Sequence, residues 1–173
     1  MKEVIERTEK VDLPHDVQYI DIEYMIGYRI LTVDQINYKG LGTYMKELRN
    51  NGIKLILIVD PGLVIGKNNT FYMTGVDNDI YIKWPTNLAP YDKDIVSQNS
   101  KDDAISWCWP NGKISMHLRL KLIFNYLNFQ FLNIGYPDYL NNKTHKWWEQ
   151  SLKDFMSNET YGCDMDGIWI DMV

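Results

Sequence analysis

The sequence predicts an α/β fold, and three observations carry the prediction. Helical and extended patterns alternate along the chain. The extended stretches include a near-continuous apolar run, "IKLILIV", of the kind buried on both faces in a parallel sheet. Each of the three clearest strands also ends in an aspartate, as in "YID", "IVD" and "WID".

Taken in order, residues 2 to 10 carry a helical pattern, and Pro14 ends that helix. Val17 to Ile22 follow as a strand. In "LGTYMKELRNNG", Leu41, Tyr44, Met45 and Leu48 stand at i, i+3, i+4 and i+7, one apolar stripe closed by Gly52 as C-cap. The strand "IKLILIVDPG" comes next, then a long irregular stretch. "NKTHKWWEQSLKDFM" gives a third helix, with Trp148, Leu152, Phe155 and Met156 on one side. In "DGIWIDM" the bulky apolar Ile168, Trp169 and Ile170 read as a buried strand after a Gly.

At 173 residues and 45% hydrophobic, the chain has room for one sizeable core. A net charge of −5 leaves no broad basic surface, which argues against nucleic acid or an anionic membrane as partner. No apolar stretch reaches the length of a membrane span. The N-terminal fifteen residues are too charged for a signal peptide and read as a helix that begins before residue 1. Cys108 and Cys163 make no CxxC pair and no metal spacing with His15, His117 or His145, so no metal and no cofactor is expected. Six Trp and twelve Tyr suit a sugar-stacking surface, although dense aromatics more often build plain core.

The strand-terminal acids Asp21, Asp60 and Asp171 are the candidate chemistry. In parallel α/β folds the carboxyl ends of all strands lie on one face, and that face holds the active site. Asp60 precedes Pro61 and reads as the acid of a turn. Neither Asp21 nor Asp171 is followed by such a signal. Carboxylates facing a pocket with Trp nearby suit glycosidic-bond cleavage, whose oxocarbenium-like transition state needs negative charge beneath it. Other motifs fail. "GLVIGKNN" at 62 to 69 lacks a spacer residue and the Ser/Thr of a phosphate loop. There is also no G-x-S-x-G and no G-x-G-x-x-G.

With these residues in view, "DVQYIDIEYM", "NNGIKLILIVDPG", "GVDNDIYIKWP", "YPDYLNNKTHKWWEQSLKDF" and "DGIWIDM" resemble, in order and spacing, the catalytic domain of family-31 glycoside hydrolases. The likeness is to its lysosomal and intestinal α-glucosidases: acid maltase, maltase-glucoamylase and sucrase-isomaltase. The resemblance implies a partial (β/α)8 TIM barrel over residues 1–173, holding roughly strands two to four with their helices. It implies that Asp171 of "WIDM" is the nucleophile of a retaining mechanism and forms a covalent glycosyl-enzyme. Asp21 would hydrogen-bond hydroxyls of the non-reducing glucose, with Ile22 beside it. Trp169 and Met172 would flank the nucleophile, and Trp109 of "WPN" would wall the pocket. Leu63 stands where the family commonly has Ile.

Two departures follow from the same resemblance. The family continues "WIDMNEP", whereas Val173 stands here in place of Asn and the general acid, a later Asp, is missing; the chain as written is expected to be inactive. The second is residues 112–135, "GKISMHLRLKLIFNYLNFQFLNIG", an atypical insertion without an acid and with a greasy alternation. It reads either as an insertion on the barrel rim or, preferably, as translated intron, since Gly112-Lys113 and Val173 both permit the GT of a splice donor. The resulting expectation is a retaining α-glucosidase fragment whose partner is an oligosaccharide ending in α-linked glucose. Its parent would sit in the secretory pathway, lysosomal or extracellular and membrane-associated, with N-x-T sequons at Asn68, Asn142 and Asn158 pointing the same way. The alternatives are a non-catalytic sugar- or protein-binding product and an N-glycan-trimming glucosidase.

Overall fold

A computed structural model of the chain describes residues 1–85, 87, 105–108, 132–158, 160 and 162–171, with backbone alone at 105–108 and 132–133. In chain order the elements are α1 (Lys2–Lys10), β1 (Val17–Ile20), a 3-10 turn (Ile22–Tyr24), α2 (Leu41–Asn50), β2 (Lys54–Ile58), β3 (Leu63–Val64), α3 (Thr70–Asp77), β4 (Ile105–Cys108), β5 (Leu132–Gly135), α4 (Asn142–Met156) and β6 (Gly167–Trp169). They fall into two units: Met1–Pro61 with Trp148–Val173, and Gly62–Trp147.

The first unit is built on a parallel sheet in the order β1-β2-β6. Ile20 pairs with Leu57 and Ile58 with Trp169, so all three strands run the same way and end on one edge. Leu55 and Leu57 are fully buried on one face of β2, while Ile56 on the other face is half-buried beside Gly167. This is a parallel α/β arc, as the resemblance implies. Among the described residues the barrel is not closed, which explains why Tyr19 stays 53% exposed and every residue of β6 only half-buried. Helix α2 lies against β2 through Leu41, Met45 and Leu48, with Tyr44 of the predicted stripe half-buried under the Lys2 ammonium, 4.5 Å from its ring centroid. Gly52 follows the cap Asn51 with φ +85, the left-handed conformation that ends a helix at little cost for Gly.

The predicted boundaries need several corrections. Helix α1 spans Lys2–Lys10 as read from the sequence, and Asp12 turns left-handed at φ +53 to end it before Pro14 is reached. Strand β1 ends at Ile20 rather than Ile22, since the Asp21 carboxylate accepts the Ile22 N–H at 2.7 Å and starts the 3-10 turn. Ile170 lies outside β6 and is 60% exposed. On α4 the buried stripe is Thr144, Trp147, Ser151 and Phe155, whereas Trp148, Leu152 and Met156 are only half-buried. Two small polar residues in that stripe hide it from an apolar count.

The second unit holds an antiparallel sheet in the order β3-β5-β4, which the sequence reading did not anticipate. Helix α3 was likewise read as irregular. Its start is fixed by Asn69, which accepts the Tyr72 N–H at 3.3 Å and donates to the Val64 carbonyl at 2.8 Å. Within this unit Thr144 Oγ1 donates to the Ile80 carbonyl at 3.4 Å and Trp147 Nε1 donates to Thr74 Oγ1 at 3.0 Å. Of the predicted insertion, residues 112–131 lie outside the described residues. Residues 132–135 form β5, where Ile134 is buried against Val64 and Tyr136.

Candidate active site

Parallel pairing brings three acids to one edge of the first unit's sheet. Asp21 directly follows Ile20 of β1, Asp60 lies two residues beyond Ile58 of β2, and Asp171 lies two beyond Trp169 of β6. The ladder continues past the strands, because the Val59 N–H donates to the Trp169 carbonyl at 2.9 Å. Asp60 and Asp171 therefore stand level on adjoining chains, which in a sheet run about 5 Å apart.

The three carboxyls sit in different surroundings. Asp21 is exposed and its Oδ1 is engaged by the Ile22 N–H. Asp171 is half-buried. Asp60 is only 6% exposed, and its buried Oδ1 has no hydrogen-bond partner. Burial, then the neighbouring charges of Asp171 and Asp21, pushes the Asp60 carboxyl up to about 6. The turn reading of Asp60 is thus corrected: it is Asp21 that caps a turn, while Asp60 faces inward. Pro61 misled because it reports local chain direction, whereas burial at this position is set by the strands on either side.

Beside the acids, the Tyr24 hydroxyl donates to the Ile58 carbonyl at 2.7 Å and pins the 3-10 turn to the end of β2. Burial, followed by the nearness of Cys163 and Asp60, drives the Tyr24 phenol far above its ordinary range. Cys163 is buried, and its burial pushes the thiol up to about 12. Trp169 meets Tyr19 edge-on, with centroids 6.2 Å apart and rings at 83°.

The opposite end of β6 is clamped. The Asp166 N–H donates to the Leu55 carbonyl and its Oδ2 accepts the Leu55 N–H, both at 3.0 Å. Arg49 Nε reaches Asp166 Oδ1 at 2.9 Å, Nη1 reaches Asp164 Oδ2 at 2.8 Å, and Nη2 donates to the Asp164 carbonyl. Burial alone would raise the Asp166 carboxyl, but the Leu55 N–H, Arg49 and Lys54 together hold it below its ordinary value.

Of the sequence-predicted site residues, Asp21, Ile22, Trp169 and Asp171 belong to this unit, with Ile22 half-buried in the 3-10 turn. Leu63 belongs to the second unit, fully buried in β3. Trp109 and Met172 lie outside the described residues. Of the sequons, Asn68 and Asn142 are exposed, and Asn158 is half-buried with its Oδ1 accepting the Thr160 N–H at 2.9 Å. Among the described residues no group of His, Cys, Asp or Glu is arranged to hold a metal ion, and no helix is long and apolar enough to cross a membrane. A groove of about 730 Å³ lies between the start of α2 and the segment after α4. It is lined by Thr43, Lys46, Lys153 and Thr160 among others and by none of the three acids, so it lies apart from the chemistry.

A parallel arc with acids at its carboxyl edge is the arrangement in which α/β enzymes place their active sites. The whole chain, residues 1–173, matches the glycosyl hydrolases family 31 TIM-barrel domain, and it belongs to that family. Among curated proteins it is 28% identical to intestinal sucrase-isomaltase of Oryctolagus cuniculus over 98% of this chain and 8% of that protein. It is 26% identical to alpha-glucosidase 2 of Bacillus thermoamyloliquefaciens over 99% of this chain and 17% of that one, so it spans less than a fifth of either. Among solved structures, an ER glucosidase II complex superimposes with a TM-score of 0.69 at 23% identity, covering 99% of this chain and 15% of that one. The α-1,4-glucan lyase of Gracilariopsis lemaneiformis gives 0.72 at 16%, over 99% and 16%. At these identities the two structures speak for the fold alone.

Proposed function

We propose that this chain supplies the nucleophile-bearing part of a retaining α-glucosidase acting on terminal α-linked glucose of maltose, starch or glycogen-type chains. The observation that carries the reading is three aspartates on the carboxyl edge of β1-β2-β6 in a family-31 chain. In this account an Asp171 oxygen attacks the anomeric carbon and the aglycone oxygen leaves with a proton from a general acid. Water then opens the glycosyl ester. Asp21 accepts hydroxyls of the glucose in the site, and Ile22, Leu63, Trp109, Trp169 and Met172 form its walls. The acid is to come from a later part of the family's barrel, so the 173 residues alone are proposed to be inactive. The proposed setting is the secretory route, consistent with the sequons.

The test is hydrolysis of maltose and an aryl α-glucoside by a complete barrel carrying this segment. Asp171→Asn should lower turnover by at least about a thousandfold, and NMR should show the α-anomer as first product. A β-anomer as first product, or full activity in the variant, would overturn the reading. N-glycan trimming is the second reading, favoured by the likeness to ER glucosidase II structures; release of glucose from glycans but not from maltose would select it. A non-catalytic binding role remains for a chain that binds sugar or a protein without turnover.

Residues 112–135 are proposed to be translated intron, on the splice-donor codons that Gly112-Lys113 and Val173 permit. The burial of Ile134 against Val64 and Tyr136 speaks for a true insertion instead. Transcript sequencing decides: loss of codons 113 to 134 with Asn-Glu after Met172 supports the intron, and retention supports the insertion.

A further inference from the structure

Asp60 is the acid that the glucosidase reading leaves without a task. The groups that face it are Asp171 from the end of β6, Asp21 from the end of β1 and the Tyr24 phenol from the 3-10 turn, with the Cys163 thiol acting on Tyr24 in turn. Among the described residues none of these is a cation. An ionised carboxylate with one oxygen buried and unpartnered, beside two like charges, has among the described residues no counter-ion to offset its charge. The same site holding a neutral carboxylic acid gains a donor, and the register places the Asp171 carboxylate level with it on the adjoining strand.

We propose that Asp60 is a proton-holding positioning residue for Asp171: a neutral acid that keeps a second charge away from the nucleophile and fixes its carboxylate in place. The proposal rests on the reading of Asp171 as nucleophile. At 6% exposure Asp60 cannot reach a leaving oxygen, so it is not the general acid. When Asp171 becomes an ester, its electron pair goes to the anomeric carbon and Asp60 keeps its proton. The raised affinity of Asp60 for a proton agrees in direction.

The test is a carboxyl NMR titration of 13C-aspartate-labelled protein from pH 3 to 9, on this chain and on a complete barrel carrying it. One carboxyl should titrate near 6, vanish in Asp60→Asn, and move down by roughly one pH unit in Asp171→Asn, where the like charge is gone. Asp60 titrating with the ordinary carboxyls, or unmoved by Asp171→Asn, would overturn the proposal. In the complete barrel, Asp60→Asn should recover most of the kcat that Asp60→Ala loses and should shift the alkaline limb of kcat/KM upward. Equal loss in both variants, with no shifted limb, would also overturn it. Absence of glucosidase turnover would sink the functional reading alone, because the titration stands without it.

Discussion

Removing the Asp166 carboxylate should loosen the strand that delivers Asp171, by an amount the geometry lets one work out. In Asp166→Ala the Leu55 N–H loses its acceptor, which for a part-buried amide costs about 1–3 kcal/mol. The Arg49 pair is lost as well, but Arg49 is 31% exposed, so screening limits that contribution to roughly 0.5–1 kcal/mol. The sum is about 1.5–4 kcal/mol. Asp166→Asn keeps an oxygen for the Leu55 N–H and loses chiefly the charge, so about 1 kcal/mol is expected. Because the Asp166 carboxyl is held low in the fold, its contribution is present above the unfolded value near 3.8 and is lost as pH falls through the lower folded value. Urea unfolding of wild type and both variants at pH 7 and pH 3 measures this. Equal costs for Ala and Asn, or a difference that persists undiminished at pH 3, would refute the reasoning.

Three further outcomes follow. The Asp60 contribution to stability should fall by about 3 kcal/mol as pH rises from 3.8 to about 6 and then level off, since Asp60 is protonated in the fold where the unfolded chain is already ionised; the difference between wild type and Asp60→Asn in thermal melts across that range reads it. Gly62→Ala should cost about 1–3 kcal/mol, because its Cβ would lie 2.3 Å from Ile134 Cγ2, and Ile134→Ala in the same chain should recover part of the loss. Cys163 should be modified at pH 8 on the order of a thousandfold more slowly in the folded than in the unfolded chain, read by peptide mass spectrometry, since its thiol is pushed up to about 12 from 9.0.

What the sequence made legible was whatever one element decides by itself. Leu55 and Leu57 announce a buried strand through an apolar run, and Leu41, Met45 and Leu48 announce a helix face through their spacing. The acids at the strand ends were visible for the same reason. Asp60 was misread because its burial comes from the strands on either side of β2, a fact of register that Pro61 cannot report. The buried face of α4 was misplaced because Thr144 and Ser151, small and polar, pack where an apolar count expects Leu152 and Met156. The antiparallel sheet escaped notice because β3 has only two residues and pairs with a strand about seventy positions away.

The central claim is that Asp171 attacks the anomeric carbon, and its most direct test is mechanism-based labelling. A 5-fluoro-α-glucosyl fluoride carries a leaving group that departs without a proton, so labelling isolates the nucleophile from the general acid. After incubation with a complete barrel carrying this segment, peptide mass spectrometry should find one glycosyl adduct on Asp171, absent in Asp171→Asn. An adduct on Asp21 or Asp60, or none on a folded and active enzyme, would contradict the account.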